Sequence, residues 1–164
     1  MSARRPLAAC ALLALISLVA AVLLQHGLGM QPCAWCVLQR LFVLALLFVI
    51  LPGALAGAGR VAQVAAAAGG VLAAGGLGAA LHQQFVAARS DACGLSLADR
   101  IIMAGRLHEI APWLFMPTAR CDEANAPLLG IPFALWSAGL FVVSMLLCAV
   151  AFVAARRAAR GSPR

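Results

Sequence analysis

Two cysteines stand three residues apart in Pro32-Cys33-Ala34-Trp35-Cys36, between two hydrophobic stretches, with Gln39-Arg40 directly behind them. Thiols at this spacing can close on each other, and the thiolate of such a pair attacks disulfides or donates electrons. A helix beginning near Pro32, a residue suited to a first helical turn, would set Cys33, Cys36 and Arg40 at i, i+3 and i+7 on one face. The helix N-terminus and the guanidinium would then both favour thiolate. Cys93 and Cys121 enclose a longer polar stretch, and a bridge between them would contribute about 3 to 4 kcal/mol by loop closure. A structural disulfide below about −300 mV could not oxidise a partner near −120 mV, since that gap is about 8 kcal/mol for two electrons. A working bond here must therefore be strained or drawn by an acceptor. The pattern also admits a purely structural disulfide or half of a zinc site. Cys93 and Cys121 do not repeat the close spacing of zinc modules, so no metal is assigned.

The elements that must hold these residues are membrane helices. The 164-residue chain is 65% hydrophobic and 10% charged with a mean hydropathy of +1.02, against about 25% charged for soluble domains. Four stretches reach the roughly twenty apolar residues of a span: Leu7 to Leu24, Leu41 to Ala58, Val61 to Leu81 and Ile131 to Ala155. The expected fold is an all-α membrane protein, a four-transmembrane-helix bundle forming a single domain over residues 1–164, with loops at about 25–40 and 82–130. Arg4 and Arg5 before the first stretch suggest a signal peptide, but its apolar run exceeds the usual length and no convincing Ala-x-Ala site follows. We expect it to be retained. Pro52 and nearby glycines are expected to interrupt the second stretch, at a kink or in a short turn at Arg60. In the larger loop, Ser96-Leu97-Ala98-Asp99 resembles a helix start. Leu97, Ile101, Ile102, Leu107 and Ile110 follow at helical spacing, predicting a short amphipathic helix that lies on the membrane or packs on the loop's own Trp113-Leu114-Phe115-Met116 cluster.

The net charge of +7 could suggest nucleic acid, but its distribution points to a lipid bilayer. In a four-span topology Arg4, Arg5, Arg60, Arg156, Arg157, Arg160 and Arg164 fall on one side. Arg40, Arg89, Arg100, Arg106 and Arg120 share the other with all five acids. The positive-inside rule makes the first side cytoplasmic, with both termini inward. Cys33, Cys36, Cys93 and Cys121 then face an oxidising compartment, the periplasm in a bacterium. Cys10 and Cys148 lie within spans and read as small buried hydrophobes.

The string Pro32-Cys33-Ala34-Trp35-Cys36-Val37-Leu38-Gln39-Arg40 after a first span, the pair Cys93 and Cys121, and Cys121-Asp122-Glu123 leading into Leu128-Leu129-Gly130-Ile131-Pro132 with Trp136-Ser137 resemble the disulfide bond formation protein B family (DsbB). The resemblance covers nearly the whole chain. It implies a protein-disulfide oxidoreductase of the bacterial inner membrane, which reoxidises a DsbA-like periplasmic dithiol carrier by passing electrons through two cysteine pairs to ubiquinone or menaquinone. By that resemblance Cys93 forms the mixed disulfide with the carrier, Cys121 exchanges with Cys33, Cys36 is the thiolate against the quinone, and Arg40 binds and polarises the quinone. His82 falls where the family has a histidine near the quinone. The role of Arg40 also follows from chemistry, because reduction puts negative charge on the quinone oxygens and a fixed cation stabilises it. Trp35 is suited to anchoring the interface or packing on the quinone. Two rivals fit less well. Vitamin K epoxide reductases place their active pair by a late span, and a four-helix protein merely stapled by disulfides leaves Gln39-Arg40 unexplained.

Overall fold

The computed structural model describes residues 2–89 and 95–160. Four long helices dominate: α1 (Arg4–Gly27), α2 (Ala34–Ala56) and α3 (Gly59–Phe85), then, after the larger loop, α8 (Phe133–Arg160). At about 1.5 Å per residue each exceeds the roughly 30 Å of a hydrocarbon core, and each is apolar enough to cross one. Leu12, Ile16, Phe48, Val64, Val71 and Leu146 stay exposed on them. Such outward apolar faces suit lipid, where a helix satisfies every backbone polar group internally. The chain is an all-α four-helix membrane bundle.

Contacts divide the chain into two compact units. The first comprises Met1–Leu18, Phe42–Gly75 and Leu140–Arg164. Its core gathers Leu7, Cys10, Leu46, Ile50, Ala62, Ala66, Cys148 and Ala151. Without water to drive association, membrane helices gain by close packing of small residues. A methyl at Gly69 would meet Ile50 Cγ2 at 2.7 Å and Cys148 Sγ at 3.0 Å, so glycine sets that spacing. Of the two expected endings of the second stretch, a kink or a short turn at Arg60, the short turn is found. Pro52 sits inside α2, which runs on to Ala56, and the break comes at Gly57 and Gly59, whose φ angles of +72° and +74° belong to left-handed backbone. A proline removes one helical hydrogen bond, whereas two left-handed residues reverse the chain.

The second unit, Val19–Leu41 and Gly76–Gly139, carries the loops. Here α1 and α2 extend beyond the apolar stretches, so only residues 28–33 connect them, in place of the expected loop at 25–40. Hydropathy marks where a helix meets lipid. The helix itself continues wherever polar side chains find partners. After a 3-10 turn at Ala87–Arg89, α4 (Leu97–Ala104) opens on a full capping box: Asp99 N donates to Ser96 Oγ at 3.2 Å and Ser96 N to Asp99 Oδ2 at 2.9 Å. Helix α4 buries Ala98 and Ile102 while Leu97 and Met103 stay exposed. The single helix predicted through Ile110 is split, because Gly105 caps α4 and Arg106 turns left-handed (φ 49°) before α5 (Leu107–Ile110). Then come α6 (Pro112–Phe115), α7 (Cys121–Ala124) and a hairpin, β1 (Pro127–Leu128) with β2 (Ile131–Pro132), paired Pro127 to Pro132. Asn125 Oδ1 accepts from Ala134 N at 3.0 Å, satisfying a free donor of the first turn of α8.

Candidate functional site

Three of the four loop cysteines lie among the described residues, all in the second unit; Cys93 lies outside them. Cys33 immediately precedes α2, and its carbonyl accepts from Val37 N at 3.0 Å. Cys36 follows in the first turn. Their sulfurs are 3.4 Å apart and both residues are buried. Cys121 begins α7, and its thiol hydrogen-bonds with that of Cys33. Cys33 therefore has a sulfur on either side. Its thiol is pushed up, first by Cys121, then by Cys36 and by burial. The contact with Cys33 holds Cys121 below the usual thiol range against its own burial, so Cys121 takes a negative charge more readily than Cys33.

Two peptide segments hold this arrangement. Thr118 N and Ala119 N donate to Pro32 O at 2.9 and 3.3 Å, and Thr118 Oγ1 lies 2.6 Å from Gln31 Oε1. The chain ahead of Cys121 is thus tied to the chain ahead of Cys33.

On α2 the residues after Cys36 continue its surroundings. Gln39 Nε2 donates to Gln83 Oε1 at 2.6 Å, and Gln83 Nε2 donates to Cys36 Sγ at 3.1 Å. Arg40 is buried, and its guanidinium donates to Gln25 Oε1 at 2.6 Å, Leu114 O at 3.1 Å and Ala21 O at 3.4 Å. Gln25 Nε2 reaches Trp113 O at 3.5 Å, linking α1 to α6. Among the described residues no carboxylate pairs with Arg40. A buried cation held by neutral carbonyls is expensive, and ionisable residues are rare within membrane helices.

Arg40 and Cys36 share the wall of one cleft with apolar Ala21, Leu24, Met30, Pro32 and Phe133. The lining sets apolar aliphatic and aromatic surface beside a cation and a sulfur. His82, near the end of α3, stacks on Trp35 with ring centroids 4.2 Å apart and planes 28° apart, and neither ring is among the described residues lining the cleft. The sequence reading brought Cys33, Cys36, Cys121 and Arg40 forward, and the structure gathers them. It did not single out Gln25 and Gln83. The available signal was an amide at the end of an apolar run, which must find a partner if it turns inward.

Comparison with known proteins identifies the family. The family described as disulfide bond formation protein DsbB matches residues 3–151. Disulfide bond formation protein B 2 of Pseudomonas aeruginosa is 32% identical over 150 residues, covering 88% of this chain and 88% of the relative. Disulfide bond formation protein B 1 of Pseudomonas savastanoi pv. phaseolicola is 30% identical over 138 residues, covering 84% and 82%. Disulfide bond formation protein B of Stutzerimonas stutzeri is 30% identical over 132 residues, covering 78% and 81%. With the family match running from the start of α1 into α8, the chain belongs to the DsbB family of disulfide bond formation membrane proteins.

Proposed function

We propose that the chain oxidises a DsbA-like periplasmic dithiol carrier and delivers the electrons to membrane quinone, sustaining disulfide formation in exported proteins. The observation that carries this reading is the cleft wall shared by Cys36 and the buried Arg40, which no carboxylate pairs with among the described residues, with Cys33 between Cys36 and Cys121. A carrier thiolate attacks Cys93 of a Cys93–Cys121 disulfide, and the second carrier thiol resolves the mixed disulfide. The carrier leaves oxidised, with two thiols left on the chain. Cys121 then attacks Cys33 of a Cys33–Cys36 disulfide and releases Cys36 as thiolate. Cys93 closes on Cys121 and frees Cys33, so two electrons have moved from the carrier to the second pair. A quinone bound in the cleft supplies the acceptor for two electrons and two protons. Arg40 would hold a quinone oxygen and offset the negative charge that reduction puts there, Cys36 would present its sulfur to the ring, and His82 would keep Trp35 in place by stacking on it.

The positive-inside rule supports periplasmic loops and cytoplasmic termini, because the whole excess of arginine falls on the side of the termini. The test is turnover in membranes given reduced carrier and either ubiquinone or menaquinone, following carrier thiols and quinone together. Equal loss of carrier dithiol and of oxidised quinone is expected. Carrier oxidation that continues after quinone extraction in the absence of oxygen would sink the proposal.

A further inference from the structure

The polar groups around Cys36 divide their work unevenly. Arg40 stands one turn further along α2, yet the bonds its guanidinium makes run to Gln25, Leu114 O and Ala21 O. The side-chain amide on the Cys36 sulfur comes from another helix: Gln83, fully buried near the end of α3, donates Nε2–H at 3.1 Å. A primary amide can present either a donor or an acceptor, and only the donor suits a sulfur that carries negative charge. Gln39 settles which end is presented. It lies three residues after Cys36 on the same face of α2, and its Nε2 donates to Gln83 Oε1 at 2.6 Å, leaving the Gln83 nitrogen directed at sulfur. Both amides are buried, so water competes little for either bond.

We infer that Gln83, oriented by Gln39, is a positioning residue that holds the Cys36 sulfur in its anionic form on the cleft wall. The inference rests on the relay proposed above and adds to it the group that readies Cys36 before an acceptor arrives. Gln83 is not among the described residues lining the cleft, so its effect belongs to the sulfur and leaves acceptor affinity untouched. Among the described residues the charged and titratable groups acting on Cys36 are Cys33 before α2, Arg40 on α2 and Cys121 on α7. Each stays in place in the variants below.

The experiment uses the full chain in detergent micelles, reduced with a phosphine and pulsed with a small neutral alkylating reagent, with labelling at Cys36 read by mass spectrometry. Gln83→Met keeps the length and removes the donor. Gln83→Glu keeps the shape and turns an acceptor toward sulfur. Losing one hydrogen bond to an anionic group lowers Cys36 labelling at neutral pH by roughly ten- to a hundredfold in Gln83→Met. The loss is at least as large in Gln83→Glu, and in both it vanishes at strongly alkaline pH, where sulfur ionises unaided. Gln39→Leu gives a smaller loss, because the amide remains but is free to turn. In turnover, kcat falls while the quinone KM holds. Wild-type labelling of Cys36 in Gln83→Met overturns the inference, as does slower labelling that persists at alkaline pH, since that signals blocked access. If Gln83→Met fails to fold, normal labelling in Gln83→Glu overturns it on its own. Donor-dependent labelling in a protein that never reduces quinone would keep the role of Gln83 and discard the relay.

Discussion

Among the described residues the Cys33–Cys36 and Cys10–Cys148 pairs each bring two buried sulfurs together, and their surroundings differ. Cys33 and Cys36, in the second unit, are 3.4 Å apart, with Cys121 against one sulfur and the Gln83 amide against the other. Cys10 of α1 and Cys148 of α8, in the first unit, also hydrogen-bond to each other. Their surroundings are Leu7, Leu46, Ile50 and alanines, with the Ser144 hydroxyl against Cys10. That hydroxyl donates to Leu140 O on its own helix at 2.9 Å. Two sulfurs in contact do not make a redox site. What separates the pairs is the Gln83 donor, the nearby Arg40 and a third thiol, Cys121.

The comparison breaks most sharply on cysteine substitution. Cys33→Ser, Cys36→Ser, Cys93→Ser and Cys121→Ser each bring carrier oxidation to background, while Cys10→Ala and Cys148→Ala retain most of it, measured as carrier thiol loss per folded protein. A dead Cys10→Ala variant that still folds and inserts would make the first-unit pair part of the relay and dissolve the contrast.

Next in size is Arg40. Its removal strands the cleft without a cation, and a lost charge-assisted contact amounts to about 1.5 to 3 kcal/mol. Arg40→Ala therefore lowers quinone affinity or reduction rate by roughly ten- to more than a hundredfold. Arg40→Lys recovers part of it, because an ammonium cannot reach Gln25, Leu114 O and Ala21 O together as the planar fork does. Single-turnover oxidation of carrier without added quinone stays near wild type. Unchanged dependence on quinone concentration in Arg40→Ala would leave Arg40 a boundary residue.

The smallest effect sharpens the other half. Gly69→Ala pushes a methyl against Ile50 and the Cys148 sulfur, and overpacking of this kind destabilises by about 1 to 3 kcal/mol. The thermal midpoint in detergent should fall, while turnover per folded molecule stays put. A drop in turnover with an unchanged midpoint would show that the Cys148 surroundings matter to chemistry.

Much of this was readable in advance for physical reasons. Long apolar runs mark spans, Ser96 and Asp99 announce a cap, and a Cys-x-x-Cys followed by arginine carries its own chemistry. What escaped depends on which faces meet. The encounter of Cys10 with Cys148, and of Gln83 with Cys36, joins helices far apart in sequence, and hydropathy fixes that a helix is buried without fixing its neighbour. The hairpin between Pro127 and Pro132 hid for another reason: Leu129 takes a left-handed φ of 55° beside Gly130, a conformation a leucine does not advertise. The split of the amphipathic segment at Gly105 and Arg106 is similar, since the apolar spacing carries on through it.

The tie of Thr118 and Ala119 to Pro32 has a consequence for timing. Cys121 lies two residues past that knot, a span of at most about 7 Å of extended chain. Its effective concentration at Cys33 is thereby set by a short leash, far above anything a freely diffusing thiol could reach. Exchange of Cys121 with Cys33 would then be a local event. A carrier that drags Cys121 away must strain or undo three hydrogen bonds, and letting go restores them. Departure of the carrier would then serve as the trigger for the inward step.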